Sequence, residues 1–273
     1  MISFGLERRI RVADVDISFR TDKVYCFLDG LFMPAKGVPS AQVIINTFKR
    51  MERIGDTLYF NEYRESVLLE GSKLYWNMGD DRVRFRVMDL EQYNFTKLAG
   101  HLAGMVSGNY VMCHGAGINI DGRGIVLFGN SGNGKSSLAT IMEGEVLSDD
   151  LIMISQNDMR TIGTKRLITD EEKDTWTGIL KYESPLQYMF CLNKLEDPDY
   201  IRRIDATDTE ARNQMAKAAF DDKNFPELFS SHMRRMESFR WPANVFEVGT
   251  KREPLETKKA IEYTLSTTKL AVQ

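Results

Sequence analysis

Cysteine is scarce in this chain: Cys26, Cys113 and Cys191 are the three among 273 residues. Far apart and odd in number, they argue against a disulfide framework and a cysteine-rich metal site, and they fit a reducing compartment. Histidine is equally rare, with three. No apolar run approaches the roughly 18 to 20 residues that cross a bilayer, so no membrane association is expected. The opening MISFGLERRIR has no apolar core of the signal-peptide kind, so no secretory leader is expected. Basic surplus is also missing. Lys plus Arg total 36 against 39 for Asp plus Glu, a net charge of -3, which gives no reason to expect a nucleic-acid partner. There is no internal repeat and no low-complexity tract. What remains is an ordinary globular composition, 42% hydrophobic and 27% charged, able to build a core. The expectation is a soluble, cytoplasmic protein of one large domain or two modest ones.

Residues 1–90 read mostly as short strands. Val15 to Phe19, Lys23 to Leu28, Thr57 to Phe60, Ser66 to Leu69, Lys73 to Trp76 and Arg82 to Met88 place β-branched or aromatic residues between turn signals. Leu69-Glu-Gly-Ser-Lys-Leu74 predicts a hairpin. One helix is expected to interrupt them, opened by Pro39-Ser40 with Val43, Ile44, Thr47, Phe48 and Met51 as its apolar stripe. A second helix is expected over roughly 91–107. Beyond it, Tyr110 to Ile120 and Gly124 to Phe128 are apolar runs joined by the turn sequence Asp121-Gly122-Arg123-Gly124. A glycine-rich loop follows, then a helix from Lys135, strands at Glu145 to Leu147 and Leu151 to Ile154, an acidic loop at Thr169 to Asp174, and a buried strand at Gln187 to Leu192. The tail predicts helices near 208–220, 226–239 and 255–265, with a strand at Asn244 to Val248. The fold class is α/β (α+β): residues 1–90 as a β-rich accessory domain, and residues 91–273 as an α/β domain with a phosphate-binding loop.

The chemistry concentrates in Gly129-Asn130-Ser131-Gly132-Asn133-Gly134-Lys135-Ser136, which matches G-x-x-x-x-G-K-[ST] at every fixed position. Its glycines let successive backbone N–H groups, with that of Ser137 following, turn toward phosphate oxygens at a helix N-terminus. Lys135 can reach the β- and γ-phosphates, and the Ser136 hydroxyl is placed to ligate Mg²⁺. The apolar strand before the loop and the helix after it set this apart from a chance glycine-rich turn. Fourteen residues after Lys135, an apolar strand ends in Ser148-Asp149-Asp150. One carboxylate of such a pair can hold Mg²⁺ while the other accepts the proton of an attacking hydroxyl; a solvated turn is the bland alternative. His114 opens His114-Gly-Ala-Gly-Ile-Asn-Ile120 just before the strand that feeds the loop. An imidazole there could donate to a phosphate, although a histidine among apolar strand residues is more commonly a satisfied core group.

Taken in order, His114-Gly, the loop from Gly129 to Ser136 and Leu147-Ser-Asp-Asp150 resemble the core of HPr kinase/phosphorylase, and more closely the HPr-kinase-related proteins of bacterial gene clusters. The resemblance covers about residues 110–155 and, more loosely, the strands to about 192. It implies a mixed-sheet core akin to phosphoenolpyruvate carboxykinase, use of ATP with Mg²⁺, and phosphorylation of a hydroxyl, typically on serine. It also implies Asp149 as general base, Asp150 as assistant to the metal and His114 facing the transferred phosphate. The chain has no Leu-Glu-Ile-Arg-Gly-type run downstream, the signature of the family's bifunctional members, and residues 1–90 have no counterpart in the HPr enzyme.

Weaker features remain. Arg82-Val-Arg-Phe-Arg-Val87 sets three guanidiniums on one face of an expected strand, either as a solvated surface or as a strip for an acidic partner. Arg202-Arg203 and Lys165-Arg166 are candidates to clamp a γ-phosphate, and also ordinary surface charge. Trp176, Tyr182 and Trp241 read as core or interface aromatics. Three functions fit: a kinase acting on a peptide, protein or small metabolite; a nucleotide-binding regulatory or assembly module with little turnover; and, with few histidines to serve a second metal, a carboxykinase. Kinases of this kind often form homo-oligomers, which is the expectation here.

Overall fold

The computed structural model describes residues 6–12, 14–21, 33–34, 39, 41–46, 51–54, 57–60, 66–70, 73–77, 99–148, 151–166, 176–194, 201–205, 207–216, 226–250 and 254–269. The protein is mixed α/β, divided into two compact units. One takes Met1–Met112, Trp176–Leu180 and Ala219–Met236, and the other takes Cys113–Thr175, Lys181–Ala218 and Glu237–Gln273. Residue 90, the expected boundary, lies outside the described residues, as do Lys23 to Leu28, Arg82 to Met88 and Thr169 to Asp174. Among the described residues no helix is long and apolar enough to cross a membrane.

The first unit is β-rich, as its short β-branched runs predict. Strands β1 (Leu6–Val12), β2 (Val15–Thr21), β3 (Met33–Pro34), β4 (Ala41–Asn46), β7 (Ser66–Glu70) and β8 (Lys73–Asn77) form one sheet in the order β3-β1-β2-β4-β8-β7. β5 (Met51–Ile54) and β6 (Thr57–Phe60) pair separately. The hairpin expected around Gly71 is present, with Glu70 opposite Lys73. The helix expected after Pro39 is not: 41–46 is a strand, parallel to β2 on one side and β8 on the other. The apolar spacing there suits a helix, but Val43-Ile44-Ile45 is also a run of stiff β-branched residues, the signature of a strand flanked by parallel neighbours. The ladder on both sides decides the outcome.

Among the described residues this unit also has two helical pieces: residues 99–107, labelled α1, and α4 (Pro226–Glu237), whose last residue alone belongs to the second unit. His101 and His232 meet edge to face between them at 4.6 Å, and the buried Arg235 guanidinium reaches the His101 carbonyl at 3.5 Å. Burial, with Arg234 adjacent, lowers the Arg235 pKa to about 10.

The second unit is built on a large mixed sheet. β9 (Tyr110–Ile120) turns at Asp121-Gly122 into β10 (Arg123–Gly129), and β11 (Glu145–Ser148), β12 (Leu151–Ser155), β13 (Arg160–Arg166), β14 (Trp176–Lys194), β15 (Ile201–Arg203) and β16 (Asn244–Thr250) complete it. The order is β10-β9-β12-β13-β14-β16-β15, with β11 on β9 and a further pairing of β10 with β14. Asp121 and Gly122 have φ of 52° and 75°, the mirror-image turn that matches strand twist in a tight hairpin. β14 is far longer than the apolar run at 187–192 predicts. It neighbours β13 in the sheet, and the Leu186 amide donates to the carbonyl of Met159, just before β13, at 2.7 Å. From Leu186 onward it runs parallel to β10. β13 and the first half of β14 alternate weakly, so periodicity alone does not announce them.

Parallel β10, β14 and β16 lie side by side, and one face of them carries the core. Ile125, Leu127, Tyr188, Phe190, Leu192 and Val248 pack there against Leu138 and Ala139 of α2 (Lys135–Ile141) and Ile261 and Leu265 of α5 (Pro254–Lys269). α3 (Thr209–Ala216) contributes Gln214, which meets Cys191 on the other face of β14. Phe190 is fully buried, with the rings of Tyr188 and Phe246 stacked at 6.3 and 5.6 Å. Phe190→Ala is therefore expected to destabilise this unit by about 3–5 kcal/mol, measured by chemical denaturation. A change below about 1 kcal/mol would show that the aromatic row is not its centre.

Candidate functional site

The loop that leaves β10 is constrained first by its glycines. Gly129 has φ 140°, and a Cβ there would lie 2.4 Å from the Leu192 carbonyl oxygen on β14. Both the backbone conformation and the close approach exclude any other residue. Gly132 and Gly134 follow with φ of 78° and 85°, and the Gly134 carbonyl accepts the Leu138 amide to start α2. The buried Asn133 side chain donates to the Leu192 carbonyl at 2.5 Å. Leu192 thus braces the loop at both Gly129 and Asn133.

Lys135 is folded back inside this loop. Its side chain is 6% exposed, and Nζ donates to the Gly129 and Asn130 carbonyls at 3.0 Å each. A buried ammonium is costly unless it is hydrogen-bonded, and here loop carbonyls supply the partners. Ser131, Gly132 and Ser137 are exposed, while Ser136 is half-buried.

Side chains alternate along a strand, so the residues that share the face of α2 can be read from the register. On β9 these are His114, Ala116 and Ile118; on β14, Phe190, Leu192 and Lys194; on β16, Phe246, Val248 and Thr250. Register pairs Phe128 with Gly115, Gly129 with Leu192 and Lys194 with Thr250. His114, Gly129, Lys194 and Thr250 therefore mark the same end of one face across four neighbouring strands. That end is the carboxyl end of the three parallel strands, where open α/β sheets bind ligands. A pocket of about 250 Å³ opens there between Gly132, Gly134, Ser137, Lys194, Thr250 and Thr257. Among the described residues no carboxylate lines it, and Lys194 is its one charged side chain.

His114 is half-buried. Asp149 and Asp150 lie outside the described residues. Their flanking residues are described: Ser148 is opposite Gly117 of β9, and its hydroxyl donates to the Leu151 carbonyl at 2.5 Å. The side chains of Lys165, Arg166, Trp176 and Tyr182 are likewise outside the described residues. Of the candidates to clamp a γ-phosphate, Arg202 is held by Glu247 and Arg203 by the Ala243 carbonyl. Glu247 also accepts from Asn193, which in turn accepts from Gln214 at 3.1 Å. Trp241 packs as expected, edge to face with Phe128 and Phe239 at 5.9 and 6.2 Å. Among the described residues no group of three His, Cys, Asp or Glu could hold a metal ion.

Lys194 and Thr250 were not legible as site residues. Lys194 closes an apolar run and Thr250 follows a strand by charge and size like many surface positions. Only the register, which places them beside Gly132, distinguishes them.

No family model and no curated protein matches the sequence. Among solved structures the chain is similar to the HPr(Ser) kinase/phosphatase from Coxiella burnetii, at a TM-score of 0.33 and 14% identity, over 58% of this chain and 92% of that one. The relation is distant.

The two described cysteines are chemically quiet. Burial pushes the Cys113 thiol far up against the opposing pull of Lys135, and it pushes Cys191 up to about 12, with Glu247, Asp208 and Glu210 adding to the effect. Because the raised pKa keeps both protonated across neutral pH, neither is expected to react with iodoacetamide at pH 8 in the folded protein. Both should react after denaturation. Peptide mapping by mass spectrometry checks this, and native-state labelling of either would contradict their placement.

Proposed function

We propose that the protein is an ATP- and Mg²⁺-dependent phosphotransferase that moves the γ-phosphate to a hydroxyl, typically of serine, on a peptide, protein or small metabolite. The observation that carries this reading is the convergence of the glycine loop, the buried Lys135 and the pocket lined by Lys194 at one end of three parallel strands. The residues present suit a nucleoside triphosphate. The loop carries positive-φ glycines that free its backbone amides for phosphate oxygens, and Lys194, Ser137, Thr250 and Thr257 line the pocket beside it. Mg²⁺, when bound through Ser136 and Asp150, supplies charge neutralisation between the phosphates.

In this mechanism Lys135 holds the β- and γ-phosphate oxygens. Lys194, which reaches the loop from β14, supplies a second positive charge, a role the sequence alone leaves to several arginines. His114 shares the face on which the loop opens, and there it donates a hydrogen bond to the transferred group. Asp149 takes the proton of the acceptor hydroxyl. The acceptor would be selected by residues 1–90, and a homo-oligomer remains part of the proposal.

A second reading, a nucleotide-binding regulatory or assembly module, is favoured by one observation: both Arg202 and Arg203 are engaged by Glu247 and Ala243. Incubation of the purified chain with γ-labelled ATP and acceptor peptides or cell extract separates the two. A labelled acceptor supports the kinase; stable ATP binding with neither acceptor nor hydrolysis supports the module.

Asp149→Asn is expected to lower phosphotransfer by about 10²- to 10⁴-fold while ATP affinity holds, and Lys135→Ala to reduce both. Lys194→Ala should weaken ATP binding by about tenfold, the loss of one charge-assisted contact. Full activity in Asp149→Asn, read by the same labelling assay, would remove the base assignment.

A further inference from the structure

The loop that leaves β10 has a different neighbour on each flank. β9 pairs with β10 on one side and β14 on the other. The groups suited to proton and phosphate transfer belong to the β9 flank: His114 lies on β9 itself, and Ser148, just before Asp149, is opposite Gly117 of β9. The 250 Å³ pocket belongs to the opposite flank, where Lys194 closes β14, Thr250 closes β16, and Pro254 and Thr257 stand in the first turn of α5. The loop and α2 give this pocket Gly132, Gly134, Ser137 and Leu138, whereas Lys135 and Ser136 do not line it. A triphosphate seated on the loop therefore has chemistry at one end and a cavity at the other.

The cavity wall is mixed. Leu138 and Thr257 are 1% and 4% exposed and form part of its buried lining. Leu138 and Pro254 supply apolar surface, and the four-carbon stem of Lys194 adds to it while the ammonium stays with the loop. A Cβ added to Gly132 would lie 3.9 Å from the Lys194 Nζ. Hydroxyls of Ser137, Thr250 and Thr257 supply the polar edge, that of Thr250 already donating to the Asn193 carbonyl at 3.2 Å. Apolar walls with a few placed hydroxyls are what a flat ring joined to a sugar requires, and a hydroxyl can serve a ring nitrogen or a ribose hydroxyl as donor or acceptor.

We propose that this pocket seats the nucleoside of the phosphate donor, so that the nucleotide crosses the loop from β14 and β16, which hold its base and ribose, to β9, which receives its γ-phosphate. Ser137, Lys194 and Thr257 are then the residues that recognise the nucleoside. The Lys194 stem covers the ring, and its ammonium meets the phosphate chain at the nucleoside end, beside Gly132. This inference rests on the phosphotransferase reading and adds a direction to it.

Calorimetric titration of the full chain with Mg-ATP and with magnesium and inorganic triphosphate tests it. ATP is expected to bind at least about tenfold tighter, the effect of burying a ring system, although triphosphate carries the greater negative charge. Ser137 is exposed at the mouth of the pocket, so Ser137→Leu fills the opening and leaves the loop amides in place. It should reduce ATP affinity to that of triphosphate and leave triphosphate binding unchanged. Lys194→Met, which keeps the stem, should weaken both ligands in parallel, whereas Lys194→Ala should also narrow the preference for ATP. Equal wild-type affinity for the two ligands, or undiminished ATP preference in Ser137→Leu and in Lys194→Ala, would overturn the nucleoside seat while the loop assignment stands. Failure of the wild type to bind either ligand would remove both.

Discussion

The approach of Gly129 to the Leu192 carbonyl is the constraint on which the functional end of the molecule depends. It lets the chain leave β10 by crossing tightly over β14, and it fixes where the next residues can go. The same carbonyl receives the Asn133 side chain, so the loop is braced at its first residue and again near its last. Lys135 then closes the turn from within by donating to Gly129 and Asn130. Each contact is modest alone, since a net hydrogen bond contributes about 1 kcal/mol. Together they hold a row of backbone amides in a single conformation before any ligand arrives, so little ordering remains to oppose binding.

That loop is useful because of what lies beneath it. β10, β14 and β16 are parallel and in register, so their carboxyl ends coincide and bring Gly129, Lys194 and Thr250 to one edge. The apolar row from Tyr188 to Phe246, pressed by α2 and α5, keeps those ends aligned. The opposite face of β14 and β16 carries a polar network instead, in which Cys191, Asn193, Gln214, Glu247 and Arg202 satisfy one another. Such a network tolerates little change, because removing one partner leaves a buried group unsatisfied. Among the described residues the charge that faces the loop pocket is Lys194, while Arg202, one of the candidates to clamp a γ-phosphate, is engaged on the other side of the sheet.

How much of this could be read in advance divides along physical lines. The glycine loop, the tight turn at Asp121-Gly122 and the apolar strands β9, β10 and β16 were legible, because local chemistry dictates them: positive-φ positions need glycine or a near substitute, and buried strands need unbroken apolar residues. The strand at 41–46 was not, since its spacing also suits a helix and only the neighbours β2 and β8 decide. β13 and the early half of β14 were missed because strands with weak alternation resemble loops until a partner is present. Lys194 illustrates the same limit for the site. It lies 59 residues beyond Lys135 in the chain, and no spacing rule joins them; a parallel register does.

The central claim, that a braced glycine loop holds a nucleoside triphosphate, is tested most directly by titrating Mg-ATP into the wild-type chain and into Gly129→Ala by calorimetry. Circular dichroism would confirm that the sheet persists in the variant. The account predicts one ATP per chain for the wild type, with binding dependent on Mg²⁺, and loss of that binding when a Cβ is forced against the Leu192 carbonyl. Undiminished ATP binding by a folded Gly129→Ala variant would contradict it.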